Sequence, residues 1–419
     1  MKTSDDILLC REKKHNFIKQ YVLDHQVVTL KANIVGENKN MKEAYILLSY
    51  FDKLIPNTYI TKYVMDDADG PLIIYLFSKE KNLKEEMVLL EQNTPLGRFI
   101  DIDVYYNSDI SLNRSHLRKC YLCDSPAFVC GRLKRHTTDD LNNYLKQQVE
   151  NHLLSIINDF SNSSILKELH LHPKFGLVTP YTNGSHIDMD YSLMIKAKDA
   201  ILPYFSKMFL ETYKNDNLED LFTRIRKIGI EAENNMFQST KQINAYKGLI
   251  FALGLIISGV TFNFTHPKDK TTIFDFVKII TKGISKELDQ GNDTFGKLAY
   301  QKYGIKGARF EAENGFLNVQ KVLEQFDLET DESCLQALMF LIANIDDTVL
   351  LKRCNDINKY NLVKDKFKNF KFGIDDINEL NEYCLNNNLS FGGSADLLIV
   401  CVFIKKIYKT FNLNLFKNQ

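Results

Sequence analysis

Near residue 138 this 419-residue chain changes the period of its hydrophobic pattern. Upstream, residues 27–32, 71–77 and 99–105 are short runs rich in β-branched and aromatic side chains, and 42–54 follows a helical spacing. Downstream, apolar residues recur three and four apart through 141–160, 191–213, 218–237, 246–260, 273–288, 317–326, 334–342 and 395–411. Strand and helix periods cannot be exchanged without turning core side chains toward solvent. The pattern therefore predicts an α+β domain over residues 1–150 and a larger all-α domain over 151–419. The length agrees, being too great for one ordinary core.

Composition narrows the function classes. With 44% hydrophobic and 25% charged residues the chain is globular, neither disordered nor collagen-like. Lys+Arg and Asp+Glu both number 53, so no global field draws it to nucleic acid or an anionic membrane. Any polyanion site must be local. The N-terminus leads into no signal-peptide apolar core, and the apolar stretch 249–260 is about half of the roughly 20 residues a membrane span needs. It reads as a buried helix. These features predict a cytoplasmic protein with no membrane or nucleic-acid partner, and with its eight cysteines reduced.

The sharpest local feature is Gly97-Arg98-Phe99-Ile100-Asp101-Ile102-Asp103-Val104. In a strand, Asp101 and Asp103 share one face while Ile100, Ile102 and Val104 enter the core. Two carboxylates so close repel unless a cation lies between them; Mg²⁺ carrying a substrate phosphate answers that need, and Arg98 adds charge for a leaving pyrophosphate. A solvated strand face also carries such pairs. Asn33, Gly36 and Lys39 sit where a strand turns into a helix, a place suited to phosphate, or simply a turn. Cys120, Cys123, Cys130 and His136 have spacings compatible with zinc, against the alternative of reduced thiols beside a phosphate-binding patch. Half of all the arginines (Arg98, Arg114, Arg118, Arg132, Arg135) crowd into this stretch. A DNA-binding zinc module would want a basic recognition helix, which is not seen.

The helical region carries polar clusters at helix ends: Lys174 near Gly176; Gly184, His186, Asp188 and Asp190; Gly229 with Glu231; Asn244 with Lys247; Gly307 with Arg309; Asp347 with Arg353; and Gly392-Gly393-Ser394 with Asp396. Any one of them reads as a cap or a turn. Together they predict one polar pocket, with Asp188, Glu231, Asp347 and Asp396 as Mg²⁺ ligands and Lys174, Lys247, Arg309 and Arg353 on a triphosphate.

In series, Asn33-Ile-Val-Gly36, Lys39, Glu91, Gly97-Arg98, Asp101-Ile-Asp103, Arg118-x-Cys120-x-x-Cys123, Ala127, Cys130-x-Arg132 and His136 resemble the citrate lyase holo-acyl-carrier-protein synthase family over about residues 5–145. The resemblance implies a nucleotidyltransferase-like fold. It also implies transfer of phosphoribosyl-dephospho-CoA to a serine of the apo acyl carrier (gamma) subunit of citrate lyase, with loss of pyrophosphate. Asp101 and Asp103 would hold Mg²⁺, and Arg118, Arg132 and His136 would bind phosphate. The helical motifs resemble the triphosphoribosyl-dephospho-CoA synthase family over about 160–410. That family joins ATP to 3′-dephospho-CoA and expels adenine, which implies phosphate or substrate contacts from Asn244, Gly392, Gly393 and Ser394. The chemistry asks for a carboxylate near an oxocarbenium-like sugar carbon and for a proton acceptor and donor, with His186, Asp188 and Glu231 as candidates.

Departures are Val35 for Pro in the first half. In the second they are Phe175 for Pro, Phe310 for Gly, changes at Val349, Lys352 and Cys354, and Gln242, Ala245 and Tyr246 where Gly, Thr and His are usual. Alternatives are a zinc-stabilised binding protein with a degenerate helical domain, or the equivalent enzyme serving malonate decarboxylase.

Overall fold

The computed structural model describes residues 4–417 except 81, 114–116, 216, 289–294 and 374. The first part runs α1 (Ser4–Tyr21), β1 (Gln26–Ala32), α2 (Lys42–Asp52), β2 (Thr61–Asp67), β3 (Gly70–Phe77), α3 (Lys84–Asn93), β4 (Ile100–Tyr105), α4 (Ala127–Arg132) and α5 (Thr138–His170). Then follow α6 (Tyr191–Lys214), α7 (Leu221–Ser239), α8 (Lys247–Thr265), α9 (Ile273–Ile280), α10 (Phe295–Tyr303), α11 (Gly307–Glu313), α12 (Leu317–Gln325), α13 (Asp331–Asn344), α14 (Thr348–Cys354), α15 (Ile357–Asn369), α16 (Ile377–Asn386) and α17 (Gly392–Thr410). Two compact units result. One comprises Met1–Ser155, Phe264–Lys270 and Tyr408–Gln419, the other Ile156–Asn263 and Thr271–Ile407.

The first unit is built on an antiparallel sheet in the order β2-β3-β1-β4. The central strands β1 and β3 are almost wholly buried, β3 apolar on both faces and β1 carrying Gln26, Thr29 and Lys31 among its apolar residues, with α2 packed against both and α3 against β4. Buried polar groups are paired rather than absent. Asp52 accepts from the Tyr75 hydroxyl at 2.7 Å, from Asn412 at 2.7 Å and from Lys62 at 2.8 Å, which offsets the cost of burying its charge. Residues near the C-terminus complete this core: Phe411 meets Tyr50 and Phe264, and Phe416 meets Tyr45.

The sequence pattern anticipated β1, β3, β4 and α2 but not β2, whose every residue is half-buried, so no clean two-residue alternation marks it. Nor did it anticipate α1, an exposed helix with a weak apolar stripe.

The second unit is helical, and no strand is found among its described residues. Helix α8 is long and apolar enough to cross a membrane, yet 83% of that apolar window is buried inside the protein, as expected of a core helix. The predicted helix over 273–288 divides. Thr281 caps α9, Gly283 takes φ +83°, and the chain resumes as a 3₁₀ turn, Ile284–Leu288. Several acids single out helix starts by accepting backbone N–H groups: Asp190 on α6, Asp347 on α14, Asp356 on α15 and Asp376 on α16.

Candidate active sites

The pleat of β4 does what its alternation requires. Ile100, Ile102 and Val104 are fully buried, while Asp101 and Asp103 are half-buried on the opposite face. Across the ladder Asp101 faces Lys31 and Asp103 faces Thr29. The Arg118 guanidinium joins the strand to its surroundings: Nη1 lies 2.6 Å from Asp101 Oδ1, and Nη2 donates to Glu91 Oε1 at 2.7 Å and to the Ile100 carbonyl at 2.8 Å. The same Glu91 oxygen accepts the Ile102 N–H at 2.6 Å, so strand and arginine are held by one carboxylate.

Three participants gave no sequence signal. Asp69, in the β2–β3 turn, is 5% exposed and paired to Arg11 at 3.2 Å and to Lys31. Lys14 reaches in from α1; burial pushes its ammonium below the ordinary lysine value, against the pull of Asp103. Lys31 itself becomes a candidate only once the register is known.

The loop before α2 is a compact turn. Lys39 donates to the Ile34 carbonyl, and Gly36 holds φ +83°, where a Cβ would come 2.7 Å from the Thr138 methyl. Here Gly36 is required by geometry.

Cys120, Cys123, Cys130 and His136 converge, each offering one ligand atom, with all four atoms within 4.8 Å of one another. His136 Nε2 is 3.4 Å from Cys123 Sγ. That contact draws the Cys123 thiol down to about 6, while burial pushes Cys130 up to about 11. One soft donor from each of four residues suits a closed zinc site. Beside it is a cavity of ≈ 570 Å³ lined by Asn33, Arg98, Tyr121, Lys134, His136 and others. Arg98 stacks on the Tyr121 ring, 4.8 Å to the centroid, and donates to the Lys119 carbonyl. Arg132 is exposed, lying over Phe128 rather than in the cavity; Arg114 lies outside the described residues.

In the second unit, segments far apart in sequence line a cavity of ≈ 320 Å³: Glu168 and Lys174, His186, Asn244 to Gly248, Gly307, Ala308 and Glu311, Asp346, Ser390, and Gly392, Gly393, Ala395 and Asp396. Lys174 and Glu168 are 1% and 3% exposed and form an ion pair at 2.8 Å. Burial pushes Lys174 down, and Glu168 opposes that. Asp396 is half-buried in the cavity wall, and desolvation, reinforced by the Glu168 charge, holds its carboxyl well above the usual range. Gly248 has to be glycine, because a Cβ there would collide with the Asp396 carboxylate. Tyr246 is 2% exposed, and its hydroxyl has no hydrogen-bond partner among the described residues. Glu311 Oε2 is likewise unpartnered, and burial raises its carboxyl.

His186 Nδ1 accepts from Arg353 Nη2 at 3.0 Å, since a guanidinium can only donate, which leaves Nε2 to donate to Ser390 Oγ at 2.9 Å. Burial and the Arg353 charge lower this imidazole to about 4, so at neutral pH it is uncharged with both nitrogens engaged.

Of the residues expected in this pocket, Lys174, His186, Asn244, Lys247, Gly392, Gly393 and Asp396 line it. The others do not. Glu231 lies on the exposed side of α7 facing Lys207 at 3.6 Å, because the helical period turns it away from the Ala232–Met236 stripe that packs inward. Asp347 is a buried cap, its oxygens taken by the N–H groups of Val349, Leu350 and Ser394 and by the Ser394 hydroxyl; that occupies Ser394 as well. Asp188 is half-exposed, 3.8 Å from His186, and Arg353 acts through His186 and the Ser185 carbonyl. Arg309 follows Gly307 and Ala308 on α11 without itself lining the cavity.

Residues 155–414 match the family model for ATP:dephospho-CoA triphosphoribosyl transferase, and residues 2–152 match that for apo-citrate lyase phosphoribosyl-dephospho-CoA transferase. A 2-(5″-triphosphoribosyl)-3′-dephosphocoenzyme-A synthase of Haemophilus ducreyi is 33% identical, covering 67% of this chain and 98% of the relative. Protein CitXG of Haemophilus influenzae is 31% identical over 75% of this chain and 74% of its own length. Protein CitXG of Leuconostoc mesenteroides is 30% identical over 76% of each.

Proposed function

The chain belongs to the ATP:dephospho-CoA triphosphoribosyl transferase family and carries an apo-citrate lyase phosphoribosyl-dephospho-CoA transferase region ahead of it, and from that premise we propose which side chains carry each reaction. The protein is a bifunctional transferase of citrate lyase prosthetic-group biosynthesis. It makes triphosphoribosyl-dephospho-CoA and transfers phosphoribosyl-dephospho-CoA to an apo acyl carrier protein. The observation that carries the assignment of the first step is the convergence of Glu168, Lys174, Tyr246 and Asp396 in one enclosed cavity.

Synthesis breaks the bond between ribose C1′ and adenine in ATP and forms one from C1′ to the 2′-oxygen of dephospho-CoA. Positive charge grows at C1′ as adenine leaves. Glu168, paired with Lys174, stabilises that charge, and Asp396, whose carboxyl desolvation holds well above the usual range, gives a proton to the departing base. The 2′-hydroxyl proton passes to Glu168, so the carboxyl pair ends with as many protons as it began with. Lys247 and Lys174 attract the triphosphate. His186, with both nitrogens engaged, orients Ser390 and serves as a positioning residue.

For the second step the nucleophile is a serine of the partner, which we take to be the apo acyl carrier (gamma) subunit of citrate lyase. Asp101 and Asp103, two hard oxygen donors on one rigid face, suit Mg²⁺ and would hold it there. The bound ion would neutralise both carboxylates and part of the triphosphate charge. Arg118, tied to Asp101 and Glu91, positions the first of those carboxylates, while Lys14, Lys31 and Arg98 supply positive charge for the departing pyrophosphate.

Cys120, Cys123, Cys130 and His136 would hold zinc in a structural role, because four protein ligands would leave it no open position. Metal analysis of the purified chain should return one zinc per chain, and Cys123→Ser should lose it. Incubation with ATP, dephospho-CoA, Mg²⁺ and apo carrier should release adenine and raise the carrier mass by one prosthetic group. A chain that does neither contradicts both assignments.

A further inference from the structure

We propose that the exposed face of α4 and its flanking loops is the docking surface for the carrier protein, a partner whose contact patch is acidic around an apolar centre. The inference rests on the second-step reading above. Leu122, Phe128 and Leu133 are 38%, 51% and 61% exposed within one short segment, more apolar surface than a small peripheral turn needs. Around them stand Arg132, Lys134 and Arg135, all exposed and none in an ion pair among the described residues. Arg132 lies 5.8 Å from the Phe128 ring centroid, so cation and hydrocarbon form one surface.

The chain as a whole has no net charge, so this local excess is a feature of the patch. A nucleotide explains the cations but not the exposed leucines and phenylalanine, which offer nothing to a phosphate. A protein partner accounts for both: the apolar centre contributes affinity, and the basic rim steers and orients an acidic surface. The position agrees with the reaction. The same segment carries Arg118, 2.6 Å from Asp101, and the Lys119 carbonyl that receives Arg98. A protein seated on α4 therefore presents its serine beside the acidic strand face. Cys130, buried within α4, anchors the platform to the Cys/His cluster.

The test uses the full chain and the apo acyl carrier subunit of citrate lyase, with loading followed by intact mass over a range of carrier concentrations. Arg132→Glu/Arg135→Glu and Phe128→Ser should each raise the KM for carrier tenfold or more, leave kcat within twofold, and leave adenine release unchanged. The wild-type KM should rise with salt, and the double variant should lose most of that dependence. KM within twofold of wild type in both variants overturns the proposal. So does a dimer of the chain that both variants break with no change in KM, because the face would then be a self-contact. If the wild-type chain loads no carrier at all, the second-step reading falls first and the docking surface with it.

Discussion

Lys174→Met gives the sharpest test of the helical site. The lysine and its partner Glu168 are 1% and 3% exposed and 2.8 Å apart, so removing the cation strands a carboxylate in the interior. Breaking a buried pair from one side costs about 3–5 kcal/mol. For a unit of this size each kcal/mol moves the melting point by roughly 2–4 °C, which puts the loss at about 6–20 °C. Glu168→Gln strands the ammonium instead and should cost a similar amount. Glu168→Gln combined with Lys174→Met removes both charges and should recover much of the loss, giving a coupling of about 2 kcal/mol or more. Calorimetry on the four proteins closes the cycle. Adenine release, measured by chromatography below all four melting points, should fall at least ~100-fold in every variant, including the restabilised double one. Additive stability losses of under ~1 kcal/mol each would refute the buried-pair reasoning. A double variant with near wild-type adenine release would refute the assignment of Glu168 to the sugar.

Asp101→Asn and Asp103→Asn should each abolish carrier loading while adenine release continues; loss of both activities in a folded variant would contradict the division of labour. Tyr246→Phe deletes a buried hydroxyl that has no partner among the described residues, so the folded chain should be as stable or slightly more so, while adenine release drops about 10- to 100-fold if that hydroxyl meets the substrate. His186 is lowered to about 4 from 6.5, so the unfolded chain binds the proton more readily. Its contribution, complete above pH 6.5, should therefore be lost as pH falls toward 4, by up to about 3 kcal/mol, and acid titration of His186→Gln should lack that component.

Much of this molecule was legible from residue order because the relevant physics is local. A two-residue alternation puts Asp101 and Asp103 on one face whatever the strand pairs with. Cysteine spacing brings Cys120, Cys123 and Cys130 within reach of one another across a short loop and α4. Unbroken three-four apolar spacing makes α6, α8 and α17 helices in any context, and Asp190 next to such a run caps it.

Tertiary structure decided which face of each helix meets the cavity, since a 3.6-residue period defines a stripe without saying what that stripe faces. Glu168 and Glu231 are both acids within helices; the fold buries the first against Lys174 and leaves the second in solvent beside Lys207. Asp347 and Asp396 both stand near helix starts, yet one spends its oxygens on N–H groups and the other faces the cavity, its carboxyl raised well above the usual range. Lys14, Lys31 and Asp69 meet the acidic strand only through the register of the sheet and the placement of α1. Burial and pairing arise from segments brought together across long stretches of chain, and no local spacing encodes that distance.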